Sequence, residues 1–396
     1  MKNEFIHVPY GCTVHGQEEI DAVVNVLNTS TQMGRHVREF ESKIAETFNK
    51  KHGIMVNSGT SALYLAIESL DLPKGSEVIT PVLTFATTVG CLVKNDLVPV
   101  FIDVEEGTYC IDVGLVEEAI NDNTCAMCIP NLIGNIAEWD RLYAIAKKYN
   151  LRVIEDSADT LGGLINQKSS GYASDISITS FYGSHVINGA GNGGMLCVND
   201  DRIANSVKLL RSWGRSSSLF IESEAIENRF NIDVDGIQYD AKFIFEKIGY
   251  QLEPSEISAA FALVQFSKLN TNIEKRIVFF NKQLEFFKKY KDWFFMPKQT
   301  KNSRTGWLAF PLTIREEAPF EKREMQIFLE KRNIQTRTVF TGNITRQPGF
   351  KDIKCIKNKN GYPVADAVMK GGVLLACHHG LNSDMVEHIH ESFEIF

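Results

Sequence analysis

Hydrophobic positions along this chain repeat at two spacings. Helical spacing runs through 17–27 (Ile20, Val23, Val24, Leu27) and 38–48 (Phe40, Ile44, Ala45, Phe48), predicting two amphipathic helices. The polar loop between them, Asn28-Thr-Ser-Thr-Gln-Met-Gly34, suits a surface site. Short apolar runs at 53–56, 78–80, 98–102, 125–129 and 151–154 then alternate with helical patterns at 62–70, 85–93, 113–120 and 139–149. Such alternation predicts a parallel sheet covered by helices on both faces. A strand at 176–180 follows, then a glycine-rich turn and a helix over 203–215. Residues 216–247 read as polar and irregular, an insertion or long loop. Pro254-Ser-Glu256 opens a helix reaching 269, and a Lys- and Phe-rich helix covers 273–290. The rest predicts a smaller α/β unit, with strands at 307–314, 335–339 and 372–377 and helices at 320–331 and 385–393. The expectation is a large domain over 1–270 and a small C-terminal domain over 271–396.

Composition narrows the class. A chain of 396 residues with 44% hydrophobic and 23% charged positions has the balance of an ordinary globular protein. A formal net charge of −7, with no Lys/Arg run, argues against a nucleic-acid partner. No window approaches the ~18 apolar residues of a membrane span, and residues 1–7 lack the apolar core of a signal peptide. The eight cysteines stand singly at 12, 91, 110, 125, 128, 197, 355 and 377, most within apolar runs. Reduced thiols in a cytoplasmic protein, away from any membrane, are the expectation.

Several groups could carry chemistry. Ser58-Gly-Thr-Ser61 stands between a strand and a helix, where free N–H groups and hydroxyls bind an anion; an ordinary helix cap is the alternative. Asp156 ends a buried strand on the rim where parallel sheets bind ligands. It either caps the following turn or pairs with the protonated ring nitrogen of a pyridoxal-type cofactor. Phe85, just past a strand end, stacks on a flat ring or packs in the core. Ser180 binds a phosphate or decorates its strand, and His185 is a base or a plain turn histidine. Cys125 and Cys128 lie three apart in a strand and so point to opposite faces, which disfavours chelation. His378, His379, His388 and His390 lack metal-like partner spacing, so no metal is expected. There is no G-x-S-x-G or P-loop, and Gly189-x-Gly191 does not open a helix as a dinucleotide fingerprint requires.

Taken in order, these motifs resemble the DegT/DnrJ/EryC1/StrS sugar aminotransferase and dehydratase family over essentially the whole chain. The resemblance rests on Ser58-Gly-Thr-Ser-Ala62, Phe85 after Thr80-Pro81, Glu155-Asp-Ser-Ala-Asp-Thr-Leu-Gly162 and Ser180-Phe-Tyr-Gly-Ser-His185. Gly191-Asn-Gly-Gly194 and the Gly249–Ala260 segment complete it. It implies the aspartate aminotransferase fold (pyridoxal-phosphate fold type I), a mostly parallel sheet plus a smaller C-terminal α/β domain, in a homodimer. It also implies Ser58, Gly59, Thr60 and Ser180 at the cofactor phosphate and Phe85 on the ring. Asp156 would stand at the ring nitrogen and Asp159 near the ring hydroxyl. Gln251 replaces the asparagine that many relatives send into the neighbouring subunit's phosphate site, and Asn192 replaces a glutamate of G-E-G-G.

The departure at 185 sets the expected reaction. Aminotransferases of the family carry there the lysine that tethers the cofactor, whereas histidine marks its 3-dehydratases. These act on nucleotide-linked 4-keto-6-deoxy sugars with pyridoxamine phosphate, interconverting with pyridoxal phosphate. Histidine, with an ordinary pKa of about 6.5, can take a proton near neutral pH. Thr80–Val89, Arg211-Ser-Trp-Gly-Arg215 and Thr341–Pro348 resemble the family's CDP-4-keto-6-deoxyglucose 3-dehydratases, which ligate an iron–sulfur cluster just after that arginine segment. Here Ser216-Ser-Ser-Leu-Phe220 follows, and Cys197 is the only cysteine between 128 and 355, so no cluster is expected. Cluster-free relatives recharge the cofactor from L-glutamate, the implied amino donor. Arg35, Arg215, Arg337 and Arg346 are candidates for gripping the substrate diphosphate, or surface ion-pairing residues. Rival expectations are a sugar aminotransferase working without the lysine, and a non-catalytic cofactor- or sugar-binding homologue.

Overall fold

A computed structural model describes residues 5–220, 225–230 and 232–396. Its main element is a seven-stranded sheet in the spatial order His52–Val56, Gly194–Val198, Ile176–Ser180, Arg152–Asp156, Thr124–Pro130, Glu77–Pro81, Val98–Ile102. Gly194–Val198 pairs antiparallel with both neighbours, and the other pairings are parallel. The sheet is buried on both faces. Ala62, Leu63, Leu65 and Ala66 of the helix Gly59–Ser69 pack on one, and Trp139, Leu142 and Ile145 of the helix Trp139–Tyr149 belong to a second apolar cluster with Ile79, Val100, Met127 and Val153. Continuous Val/Ile/Leu runs, rather than alternation, are what such strands require.

A four-stranded antiparallel sheet follows, ordered Phe294–Phe295, Ala309–Ile314, Gly372–Ala376, Arg337–Thr338. The 19-residue helix Leu269–Phe287 leads into it. Its Phe280 stacks on Trp307 with centroids 4.6 Å apart, and both join a cluster containing Phe287, Phe294 and Phe310. Val82, Leu83 and Phe101 from the first sheet's rim belong to that cluster too, so apolar packing runs unbroken between the sheets.

Four expectations are corrected. The strand Gly194–Val198 replaces what reads as turn leading into helix, because the glycines that suggest a turn also begin the strand. A Cβ on Gly194 would lie 2.2 Å from the Ser58 carbonyl, so only glycine allows this approach. Residues 113–120 form two single 3₁₀ turns instead of a helix; Asp112 caps the first by accepting from Gly114 N at 2.8 Å, and Ile120 is already extended. The strand expected over 335–339 shrinks to Arg337–Thr338, and a helix the spacing did not reveal, Pro363–Gly371, starts on a proline in its first turn. Within 216–247, the short helix Ile226–Arg229 and the hairpin Ile232–Val234/Ile237–Tyr239 interrupt the irregular chain, and 221–224 and 231 lie outside the described residues.

Candidate active site

Strand register builds the site. Ser180 and Val56 both pair with Gly194, and Asp156 pairs with Pro130 and Ile178, so these strand ends meet at one rim. There they line a cavity of about 380 Å³, whose wall also includes Tyr10, Leu308 and Phe340. Ser58, Gly59, Thr60, Phe85, Asp156, Asp159, Ser180 and His185 all lie on its wall. No lysine is among its lining residues.

At one end the helix Gly59–Ser69 points its N-terminus into the cavity. Ser58 Oγ accepts from Ser61 N at 3.1 Å, so it caps the helix as well as lining the site. The amides of Gly59 and Thr60 have no acceptor within their own helix and carry its positive dipole end. A Cβ on Gly59 would sit 2.7 Å from Ser180 Cβ, so the glycine lets the serine hydroxyl and the helix start converge. This is an anion cradle.

Deeper in stands Asp156, 8% exposed, its Oδ1 accepting from Ala158 N at 3.1 Å and its Oδ2 from Thr88 Oγ1 at 3.4 Å. Burial outweighs these bonds and pushes its carboxyl up to about 6. Asp159 is pushed further, to about 7, by burial and by the Asp156 charge. Its Oδ2 accepts from Ile133 N at 3.0 Å. That donor comes from a turn in which Ile133 has φ +59°, a conformation costing a β-branched residue of order 1–3 kcal/mol. Two buried carboxyls with raised pKa values on the cavity wall fit a ligand that carries a protonated ring nitrogen. Phe85, 53% exposed, offers its ring at the mouth, edge-on to Phe340 at 5.8 Å.

His185 lies on the loop after Ile176–Ser180, its Nδ1 3.7 Å from Asp159 Oδ1 and without a hydrogen bond. Burial and the Arg276 charge push its pKa down to about 3, which favours the neutral imidazole. Arg276 was not apparent from the sequence. It sits in the middle of the long helix, wholly buried, and reaches this site only through the fold.

Five sequence candidates lie elsewhere. Gln251 is exposed and bridges to Ser212 through its backbone. Arg346 donates two bonds to Asp366, both 2.7 Å, and Arg215 lies 4.4 Å over the Trp213 ring. Arg35 stands beside His36 at a separate surface hollow, and Arg337 lies 5.4 Å over Tyr10 without lining the cavity. Among the described residues no three His, Cys, Asp or Glu side chains gather as a metal site. No helix among them is long and apolar enough to cross a membrane.

A mostly parallel, doubly covered sheet with a second α/β layer, and a strand-end cavity facing a helix N-terminus, is the aspartate aminotransferase type of architecture. An Escherichia coli GDP-4-keto-6-deoxy-D-mannose-3-dehydratase with bound hydrated PLP superposes on it with TM-score 0.89 at 25% identity, over 98% of this chain and all of that one. Residues 14–394 match the DegT/DnrJ/EryC1/StrS aminotransferase family, and the chain belongs to it. Among curated relatives, a dTDP-4-dehydro-2,6-dideoxy-D-glucose 3-dehydratase of Saccharopolyspora spinosa is 31% identical over 98% of this chain and 86% of its own length. The lipopolysaccharide biosynthesis protein RfbH of Salmonella typhimurium is 30% identical over 98% and 91% respectively.

Proposed function

We propose that this protein removes the C3 hydroxyl of a nucleotide-diphosphate-linked 4-keto-6-deoxyhexose, with pyridoxamine phosphate as cofactor. The observation that carries the reading is His185, its Nδ1 3.7 Å from Asp159 Oδ1, on the wall of a cavity whose lining holds Asp156 but no lysine. The names of the similar proteins, two of them sugar 3-dehydratases, support the substrate class. When bound, the cofactor supplies an amine for the sugar ketone and a conjugated ring that takes up the electron pair released at its C4′ carbon.

The residues divide the remaining work. Gly59 and Thr60 amides with the Ser58 and Ser180 hydroxyls hold the phosphate, and Phe85 covers the ring. Asp156 accepts from the ring N–H⁺; a cation there favours its carboxylate form, offsetting the burial that now pushes its pKa upward. Asp159 stands by the ring hydroxyl. With the cofactor bound, His185 would accept a proton from its C4′ carbon and pass it to the C3 oxygen, which would leave as water. Without a lysine, nothing tethers the cofactor covalently.

L-Glutamate restores the amine in this reading, without an iron–sulfur cluster, since the eight thiols are dispersed and five of them buried. A homodimer would give exposed Gln251 a neighbouring phosphate site to reach. An alternative, amination with the C3 hydroxyl retained, draws on a GDP-perosamine synthase 30% identical over 65% of the chain. Incubation with cofactor, glutamate and 4-keto-6-deoxy sugars on different nucleotides separates the two. A 3-deoxygenated product with 2-oxoglutarate and released ammonia, lost in His185→Asn, is expected. An aminosugar keeping its 3-hydroxyl, or no product on any nucleotide, overturns the proposal.

A further inference from the structure

Arg276 is an unusual buried cation. It is 0% exposed, and its donors are taken by three carbonyls and an imidazole: Nη2 to Ser184 O at 3.0 Å, Nη1 to Trp307 O at 3.2 Å and Leu308 O at 3.4 Å, and Nε to His379 Nδ1 at 3.3 Å. Among the described residues no carboxylate hydrogen-bonds it. A charge kept unpaired in an interior is costly, and an apolar side chain would fill the same space more cheaply. What it contacts gives the reason. Ser184 O is the carbonyl immediately before His185, and Leu308 lines the cavity. Gly306 packs against the arginine stem, where an added Cβ would lie 3.4 Å from its Cδ.

We propose that Arg276 is the positioning residue of His185, tying the loop that carries the imidazole to the approach of Ala309–Ile314 through its bonds to Ser184 O, Trp307 O and Leu308 O. This rests on His185 acting as the base. Burial first, and then the guanidinium charge, favour the neutral ring, whose Nδ1 stands 3.7 Å from Asp159 Oδ1. Other groups face this centre from every side. Asp156 and Asp159 come from the strand-end turn, Tyr10 and Cys12 from the N-terminal segment, and Cys377, His378 and His379 from beyond Gly372–Ala376, while Tyr182 lies on the same loop. Of these, only the two aspartates can supply negative charge near neutral pH, and burial raises both.

The test follows the His185 imidazole by NMR in the cofactor-free full chain, its signal assigned by loss in His185→Asn. In the wild type it should remain unprotonated down to about pH 4. Arg276→Met should move its midpoint up by about one unit or more, whereas Arg276→Lys, which keeps the charge, should move it less. A wild-type imidazole titrating near its ordinary value overturns the proposal even if neither variant folds, as does a folded Arg276→Met with an unchanged midpoint. Since no turnover is measured, failure here is distinct from failure to form the deoxysugar.

Discussion

Asp156→Asn should stabilise the empty protein while disabling it. The substitution keeps the shape of the side chain: Oδ1 can still accept from Ala158 N, and the new amide can donate to Thr88 Oγ1. What disappears is a buried negative charge. The carboxyl lies at about 6 in the folded chain, against an ordinary 3.8. The sign follows. Below about pH 4 both states are protonated and nothing differs. Between 4 and 6 the native state holds a proton that the unfolded state has released, so wild-type stability falls as pH rises. Above 6 the loss is complete. A shift of about two units, at about 1.4 kcal/mol each, amounts to about 3 kcal/mol. Relief of Asp159, raised in part by the Asp156 charge, adds in the same direction. Urea unfolding of the cofactor-free proteins should therefore show Asp156→Asn ahead by about 2–3 kcal/mol at pH 8 and level with wild type near pH 4. Cofactor titration should show the opposite ranking, because the amide cannot compensate a protonated ring nitrogen. Equal stability at pH 8, or a gap independent of pH, would refute the reasoning.

Other substitutions probe separate parts of the site and core. His185→Lys should acquire a covalent link to pyridoxal phosphate, visible after borohydride reduction as a mass increase; no adduct would mean that position 185 is not beside the cofactor aldehyde. Gly59→Ala places a Cβ 2.7 Å from Ser180 Cβ and should weaken cofactor binding about tenfold, with the fold retained because alanine suits a helix. Unchanged affinity would remove the phosphate from this cradle. Phe310→Ala empties a site wholly buried against Phe280 and Phe287 and should lose about 3–5 kcal/mol in chemical unfolding. A loss below about 1 kcal/mol would show that this cluster does not hold the second sheet in place.

Elements were legible in the sequence where the local signal and the tertiary environment agree. Trp139–Tyr149 combines an apolar stripe with a left-handed Asn150 at its end, and Val98–Ile102 is an unbroken apolar run; both have the boundaries the pattern predicts. Residues 113–120 fail because Val113, Val116 and Ile120 recur at a spacing that successive 3₁₀ turns also satisfy. Eight cavity residues were legible for a related reason. Each lies at or just beyond a strand end, where a short motif carries both the turn and the functional group. Arg276 has no such motif, and as an arginine in the middle of a helix it would ordinarily be assigned to the surface. Its position depends on Leu269–Phe287 crossing behind the His185 loop, a relation that no local window contains. The groups that line the cavity can therefore be read one motif at a time, whereas the field acting on them cannot. Burial raises the pKa of Asp156 and Asp159 and lowers that of His185, which is lowered too by one cation lying 91 residues further along the chain. Substitutions on that helix should therefore alter the chemistry of His185 without changing any residue of the motifs that line the cavity.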